Sequence, residues 1–600
     1  MTEALRHRGP DGAGLHVQGP LGLAMTRLAI IDVAGGQQPI FNEDRTLAMV
    51  CNGEIYNHSV LRSQLERSGH IFRTHSDVEV ILHLYEEHGA NCFSHLNGMF
   101  AAAIADFRNN RMILGRDPFG QKPLYIWRGG QQIAFASELK ALTRLPSFPN
   151  KLSGQALGSF LTFRYVPAPL SIFDDVQKLP PGSYAAIDPS GRCEVRRYWQ
   201  IDLAENGRSR DRNGCDQMRR QLMEAVDRHL MSERPLGVFL SGGLDSSAIV
   251  ACMHLAGHRN IHTYTVGFEG FIDNEFHNAA KVAKAFQTSH REVLLSADQF
   301  WDSLDAVAYF SDEPLADLTT VPLYHLAQHA SREVVVVLSG EGSDELLGGY
   351  EGMEDIRRQF DRLRAVRPLA PLARPFLRYP LPDGVRRRLH TLCGSDADYL
   401  ARNVYSMTMV FDESFKRRHV LGGLVNGDSL QPLSDYYRSR QGWHGANLYL
   451  GGLTEWWLPD DLLHKADRMT MAHSVELRCP FLDLELARYC AGLGLDEKVK
   501  TSREEPSRKI VLKKAFDEVL PAGIACQRKK GFGIPVYSWL RGVYAGRARA
   551  ELARADRLGS SLLNRNTREG LLERAVGGDR RSQRQVWSLI ILNKWGERWL

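Results

Sequence analysis

No stretch of the 600 residues is apolar and unbroken for long enough to span a bilayer, and the opening MTEALRHRGPDG lacks the pattern of a signal peptide. Cysteine is scarce, nine in all, and no two form a CxxC pair. That argues against zinc and disulfide frameworks and for reduced thiols in a cytoplasmic protein. No sign of charge dominates. A net charge of +5 is too small at this length to argue for nucleic acid, and zinc-finger and RNA-binding signatures are missing. Internal repeats are absent too. So is a phosphate loop of the Walker type: Gly115–Lys122, GRDPFGQK, copies its spacing but carries Gln121 where the lysine belongs. What is present, 43% hydrophobic and 24% charged residues over this length, describes a globular chain with more than one domain.

One stretch carries a chemical signature, Pro235–Val250, PLGVFLSGGLDSSAIV. The apolar run Leu236–Leu240 is too short for a free-standing helix and suits a buried parallel strand. A glycine turn follows, and Ala248–Ala251 reads as the first turns of a helix. Strand, glycine turn and helix N-terminus together make an anion site, because glycine lets backbone N–H groups approach phosphate and the helix dipole favours negative charge. The serine hydroxyls add donors, and Asp245 is placed to hold a magnesium ion against phosphate oxygens.

Upstream, alternating strands with helices between runs of them predict an α+β layered domain. The strands include Gly22–Asp32, Leu47–His58 and segments within Gly98–Ile126, and helices are expected near Ser59–Gly69 and within Thr74–Gly89. Residues 201–216 are polar and read as a linker between domains at 1–200 and 217–600, the second opening with a helix from about Gln217 to Met231. Beyond the opening strand, IHTYTVGF, a helix in NEFHNAAKVAKAFQTSH, REVLL and EVVVVLSGEGSDELLGGY alternate. This predicts an α/β doubly wound parallel sheet with ligands at the C-terminal strand ends, where both SGG and SGEGSDE sit. The remainder is helical. Its Arg- and Pro-rich part, Ile356–His390, reads as a solvated face in preference to a patch for acidic partners or phospholipid.

The segments HRGPDG, RLAIID, NGEIYNH, GRDPFGQKPLY and FASELKAL resemble the glutaminase domain of class II glutamine amidotransferases, in the version carried by glutamine-dependent asparagine synthetases. SGGLDSS resembles the loop of the PP-loop ATP pyrophosphatases. LPDDLLHKADRMTMAHSVELRCPFLD (Leu458–Asp483) and QRKKGFGIP (Gln527–Pro535) are similar to the synthetase domain of the same family. The resemblance implies a four-layer sandwich of two antiparallel sheets between helices, then a PP-loop domain with a helical C-terminal part. It further implies ATP and Mg2+ as cofactors, glutamine or ammonia as nitrogen source, aspartate as default acceptor, and release of AMP and pyrophosphate. A homodimer is the base-rate assembly. Members of this class begin Met-Cys-Gly-Ile and use the exposed cysteine as nucleophile. Thr2 stands there in this chain, so either the start is assigned too far downstream or free ammonia is the nitrogen source. Cys51, flanked as an interior strand residue, reads as a small core hydrophobe.

By the same resemblance Arg27 pairs with the glutamine carboxylate, Asn52 and the Gly53 N–H form an oxyanion hole, and Glu54 and Asp77 hold the α-amine. Ser241, Gly242, Gly243, Asp245, Ser246 and Ser247 bind pyrophosphate, with Asp245 and Asp344 as metal ligands. Phe239, Val266 and Gly340 contact adenosine. Lys529 is the catalytic lysine, and Glu341 is a base for ammonium. Each of these has a plain structural alternative as a turn, a cap or, for Arg528–Lys530, a solvated basic run. Asp467, Arg468, Glu476 and Arg478 stand open between a buried ion-pair network and substrate contacts. Two other functions stay open: amidation of another carboxylate, such as a sugar acid or a lactam precursor, and a non-catalytic scaffold or regulatory pseudoenzyme.

Overall fold

The computed structural model describes the chain except residues 131, 205–213, 404–408, 426, 441, 503–506 and 528–530. Most of the expected linker, and Lys529, therefore lie outside the described residues.

The first domain is built on β1 (Gly12–Gln18), β2 (Leu21–Arg27), β3 (Ile40–Phe41), β4 (Leu47–Ile55), β5 (Gly98–Asp106), β6 (Arg111–Arg116), β7 (Tyr125–Gly129), β8 (Gln132–Ala136), β9 (Val176–Lys178), β10 (Ser183–Ile187) and β11 (Cys193–Arg197). A six-stranded antiparallel sheet runs β11-β10-β6-β5-β4-β3. Period-two alternation assigns its faces. Met49, Cys51, Phe100, Ala102 and Ile104 meet Leu61, Leu65, Val80, Ile81 and Leu84 from the helices His58–Arg67 and Glu79–His88. Ala48, Val50, Ala101, Ala103 and Ala105 face the other way, toward Leu23, Leu124 and Ile126. All nine residues of β5 are buried, as a strand covered on both faces requires. The third layer is not one sheet but two, β1-β2 and β8-β7-β9. Behind it Trp127 packs with Leu139, Leu157 and Phe160 from a second helical layer, which merges with the core of the rest of the chain. The expected sandwich is present, with its second sheet split.

The second domain centres on a parallel sheet of β12 (Leu236–Phe239), β13 (His262–Phe268), β14 (Ser289–Leu295), β15 (Val336–Leu338) and β16 (Glu476–Arg478), ordered β14-β13-β12-β15-β16. The chain steps outward from β12 to β14 and then returns to the other side of β12. The strand order thus reverses between β12 and β15, the place where open α/β sheets bind ligands. The helix expected from Gln217 runs Gly214–His229, and the helix after the glycine turn begins at Leu244, three to four residues before its apolar run, with Gly243 as cap. Helices continue to the long Arg580–Trp599, whose Trp587, Ile590, Ile591 and Trp595 are buried. The Arg-rich segment is helical and solvent-facing as expected, and it also exposes Leu369, Leu372, Phe376 and Tyr379.

Candidate functional site

At the end of β12 the backbone turns through Gly242 at φ +72°, where a Cβ would lie 2.4 Å from the backbone nitrogen of Ala279. Only glycine tolerates both the conformation and the approach. Gly242→Ala is expected to destabilise the domain by about 2–4 kcal/mol, from the left-handed conformation and the overpacking together. A lowered midpoint of thermal unfolding would register this, and an unchanged one would mean that the loop has another backbone path. The Gly243 N–H donates to Ser241 Oγ at 3.2 Å, and the Ser241 N–H donates to Ser246 Oγ at 3.2 Å. The two hydroxyls are 3.1 Å apart, so the serines shape the loop before any ligand arrives.

The loop after β15 approaches this one closely. A Cβ at Gly340 would meet Asp245 Cβ at 2.8 Å, and Ser343 Oγ donates to Asp245 Oδ1 at 2.8 Å. Asp245 and Asp344 share one cation: Lys509 Nζ stands 2.7 Å from both oxygens of Asp245 and 2.6 Å from Asp344 Oδ1. Gly349 covers this trio, and a Cβ there would lie 1.8 Å from Asp344 Oδ1. Two carboxylates converge on this ammonium, and hard oxygen donors suit Mg2+.

A cavity of about 360 Å³ lies in the first domain and one of about 320 Å³ at the reversal point of the parallel sheet. Phe239, Ser241, Asp245, Ser246, Val266, Gly340, Glu341 and Asp344 all line the second. Gly242, Gly243 and Ser247 are not on its wall; Ser247 is fully buried, one turn into the helix. Lys529 is outside the described residues, but Gly531 and Phe532, which follow it, line the cavity. Three residues were not foreseen. Lys509 is the bridging cation. Lys465 lines the cavity 3.3 Å from Asp317, and although burial opposes its charge, Asp317, Glu341 and Asp461 together raise its pKa. Tyr350 lines it as well and donates to Glu345, whose carboxyl burial and Asp344 push up to about 7. Only Lys465 leaves a trace in the sequence, the i, i+4 spacing from Asp461 within the motif LPDDLLHKADR.

The first cavity gathers Arg27, Asn52, Gly53, Glu54 and Asp77 on one wall. Arg27, which lines the cavity, donates to the carbonyls of Ile31, Asp32 and Val33 at 2.9, 2.8 and 3.3 Å, and these bonds fix the guanidinium. Burial lowers its pKa. Asn52 Nδ2 is buried without a partner among the described residues, the state of a donor held for a ligand. Gly53 has φ +140°, and a Cβ would lie 1.9 Å from the Met99 carbonyl oxygen. Asp77 accepts the Ile55 N–H at 2.6 Å. Burial raises the pKa of both acids, and Asp77 pushes Glu54 further up. Cys51 is 2% exposed with its thiol pushed well up by burial, in keeping with a core residue.

The four charged residues left open by the sequence form buried ion pairs across the domains. Arg8 grips Asp467 with two bonds of 2.7 and 2.8 Å and also reaches Glu138 at 2.8 Å. Arg468 meets Asp467 at 2.9 Å and Asp312 at 3.4 Å, and Lys122 meets Glu476 at 3.2 Å. Arg478 pairs with Glu476 and with Glu54, both at 2.9 Å. Met471 and Glu476 also close the far end of the first cavity.

Residues 217–597 match the family model of asparagine synthase, and residues 1–199 match that of a glutamine amidotransferase domain. The chain is 31% identical over 609 residues to asparagine synthetase (glutamine-hydrolyzing) 1 of Bacillus subtilis, across 99% of this chain and 92% of that protein. It is 33% identical over 621 residues to a putative asparagine synthetase (glutamine-hydrolyzing) of Mycobacterium tuberculosis, with the same coverage. A solved structure, that of the allosteric regulatory enzyme of purine biosynthesis, aligns at 18% identity and a TM-score of 0.27 over 49% of this chain and 76% of that one, too slight a likeness to bear on function.

Proposed function

Because the chain belongs to the asparagine synthase family and is an amidotransferase of the asparagine synthetase type, we propose that it activates the side-chain carboxylate of aspartate with ATP and amidates it with ammonia drawn from glutamine or taken up free. The observation that carries this is the meeting of two acid-bearing loops at the strand reversal, with Asp245 and Asp344 on a shared lysine. In this reading the aspartate carboxylate oxygen attacks the α-phosphorus of ATP and pyrophosphate leaves. Ammonia then attacks the acyl carbon, and AMP departs with its bonding electrons.

The backbone of the loop Ser241–Ser247 and the hydroxyls of Ser241 and Ser246 hold the departing pyrophosphate, and Phe239, Val266 and Gly340 take the adenosine. Asp245 and Asp344 would hold Mg2+, which would offset the negative charge of the phosphates. Lys529 and Lys465 place positive charge where the phosphates and the tetrahedral intermediate develop negative charge. Glu341 removes the proton from ammonium. In the first domain Arg27 binds the glutamine carboxylate, Asn52 and the Gly53 N–H receive the oxyanion, and Glu54 and Asp77 hold the amine. The small apolar wall of that cavity, with Ala24, Ala101, Ala103 and Ala134, suits passage of neutral ammonia toward Met471 and Glu476. We place the domains at 1–200 and 217–600. A cytoplasmic location accords with nine unpaired cysteines, and among the described residues no helix is long and apolar enough to cross a membrane. A homodimer is the assembly we expect.

Pyrophosphate release from ATP, measured with aspartate, with uronic acids and with buffer alone, tests the acceptor. Release that rises saturably with aspartate is expected. Release independent of aspartate but dependent on a sugar acid would move the enzyme to polysaccharide tailoring.

A further inference from the structure

Away from both cavities, four side chains able to bind metal converge in the first domain. Glu43 lies between β3 and β4, His70 follows the helix His58–Arg67, and His83 and Glu86 lie one turn apart on Glu79–His88. His70 Nδ1 is 3.4 Å from Glu43 Oε1 and 3.6 Å from Glu86 Oε2. His83 Nδ1 is 3.6 and 3.1 Å from the same two oxygens. Around a tetrahedral ion with bonds of about 2.0–2.1 Å, neighbouring donor atoms are separated by roughly 3.3–3.4 Å. The four observed separations bracket that edge.

The surroundings are also those of a metal centre. His83 Nε2 faces Glu79 Oε1 from 3.7 Å, beyond hydrogen-bond distance, and His70 turns its Nε2 to Glu87 Oε1 at 2.9 Å. Such an outer carboxylate holds the proton on Nε2 and aims the Nδ1 lone pair inward. Glu79 is itself fixed by the N–H groups of Arg73 and Thr74 and by the Thr74 hydroxyl, and Asn42 Nδ2 donates to Glu86 Oε1 at 2.9 Å. Arg73 turns its guanidinium to the Glu43 carbonyl oxygen, and the Glu43 carboxylate accepts the Ile71 N–H at 2.9 Å on the oxygen that faces the imidazoles, a bond that fixes its position.

We propose that Glu43, His70, His83 and Glu86 form a closed, four-coordinate site for a divalent transition-metal ion, with zinc as the ion best suited to two imidazoles and two carboxylates. The site pins the helix Glu79–His88 to the β3–β4 connection. Its role is structural, since all four positions are taken by protein. It braces the turn Thr74–Asp77, which the Thr74–Glu79 bonds join to the same helix and which ends at the glutamine-side carboxylate Asp77.

The test uses the full-length chain, stripped with a chelator and titrated with Zn2+ in competition with a chromophoric indicator. One equivalent is expected to bind with a Kd below about 1 µM. His70→Gln and, separately, Glu86→Gln are each expected to weaken binding by about 100-fold or more, whereas the exposed His258→Gln in the second domain leaves it unchanged. Cobalt loaded in place of zinc is expected to give the intense visible band of a tetrahedral ion, and zinc is expected to raise the thermal midpoint of the parent chain but not of His70→Gln. Absence of stoichiometric binding would show that protons alone close the cluster and would overturn the proposal. Equal zinc affinity in the parent and in both ligand variants would overturn it as well.

Discussion

Asp245→Ala is expected to abolish ATP-dependent pyrophosphate formation, with a fall of about 10³-fold or more, while the fold is kept. The carboxylate stands where the loop after β12 and the loop after β15 meet, bonded to Ser343 Oγ and to both the ammonium and the geometry of Lys509. Its removal takes away a metal ligand and one of the two carboxylates that Lys509 joins. Stabilising charge on a transferring phosphoryl group is worth several kcal/mol, and about 4 kcal/mol corresponds to a thousandfold in rate. Stability moves little, since Lys509 retains a carboxylate partner and the position is not in the core. Asp245→Ala turning over at the parent rate, with an unchanged thermal midpoint, would place the chemistry elsewhere.

The sheet and its two loops are legible in the sequence for a local reason. A strand running into glycine and then into a helix is specified by neighbours, so Leu236–Leu240, Ser241–Ser247 and the SGEGSDE loop are read from short windows, and the structure differs only in starting the helix at Leu244. Lys509 is the opposite case. It lies in SRKIVLKKAF, indistinguishable from any basic helix start, and only the fold carries it across 264 positions to Asp245. The ion pairs divide in the same way. Asp467, Arg468, Glu476 and Arg478 stand close together in one motif, but the partners that identify them as structural, Arg8, Glu138, Lys122 and Glu54, belong to the other domain. The split of the second sheet into β1-β2 and β8-β7-β9 is likewise a matter of strand pairing between distant segments, which alternation within one strand does not report. For Lys529 the structure adds only its neighbours Gly531 and Phe532 on the cavity wall.

Arg478→Met is expected to have the largest effect on stability, about 3–5 kcal/mol, because it breaks a fully buried pair and leaves a carboxylate without its counter-ion. The guanidinium also donates to the carbonyl oxygens of His229 and Met231, at 2.9 and 2.5 Å. Of its two acids, Glu476 keeps Lys122, whereas Glu54 keeps no cation within an ion-pair distance among the described residues. Glu54 then takes up a proton, for burial and Asp77 already hold its pKa well above the usual carboxylate range, and of the two cations that oppose them, Arg478 and Lys122, the arginine has the larger effect. A carboxyl whose pKa is raised on folding contributes stability at low pH that is lost as pH climbs through the folded value. The deficit of Arg478→Met relative to the parent is therefore smallest in mild acid and widens toward neutral and alkaline pH, and the double variant with Glu54→Gln removes most of that pH dependence. A deficit independent of pH in both variants would mean that Glu54 is not the stranded charge. Activity should fall at both ends together. Arg478 joins the glutamine-side wall through Glu54, and its own carbonyl oxygen accepts the Ser339 N–H at 2.9 Å, at the root of the loop that carries Glu341 and Asp344. One side chain and its backbone thus tie the two cavities to a single strand, β16, and a loosened Arg478 is expected to weaken glutamine binding and pyrophosphate release in the same variant.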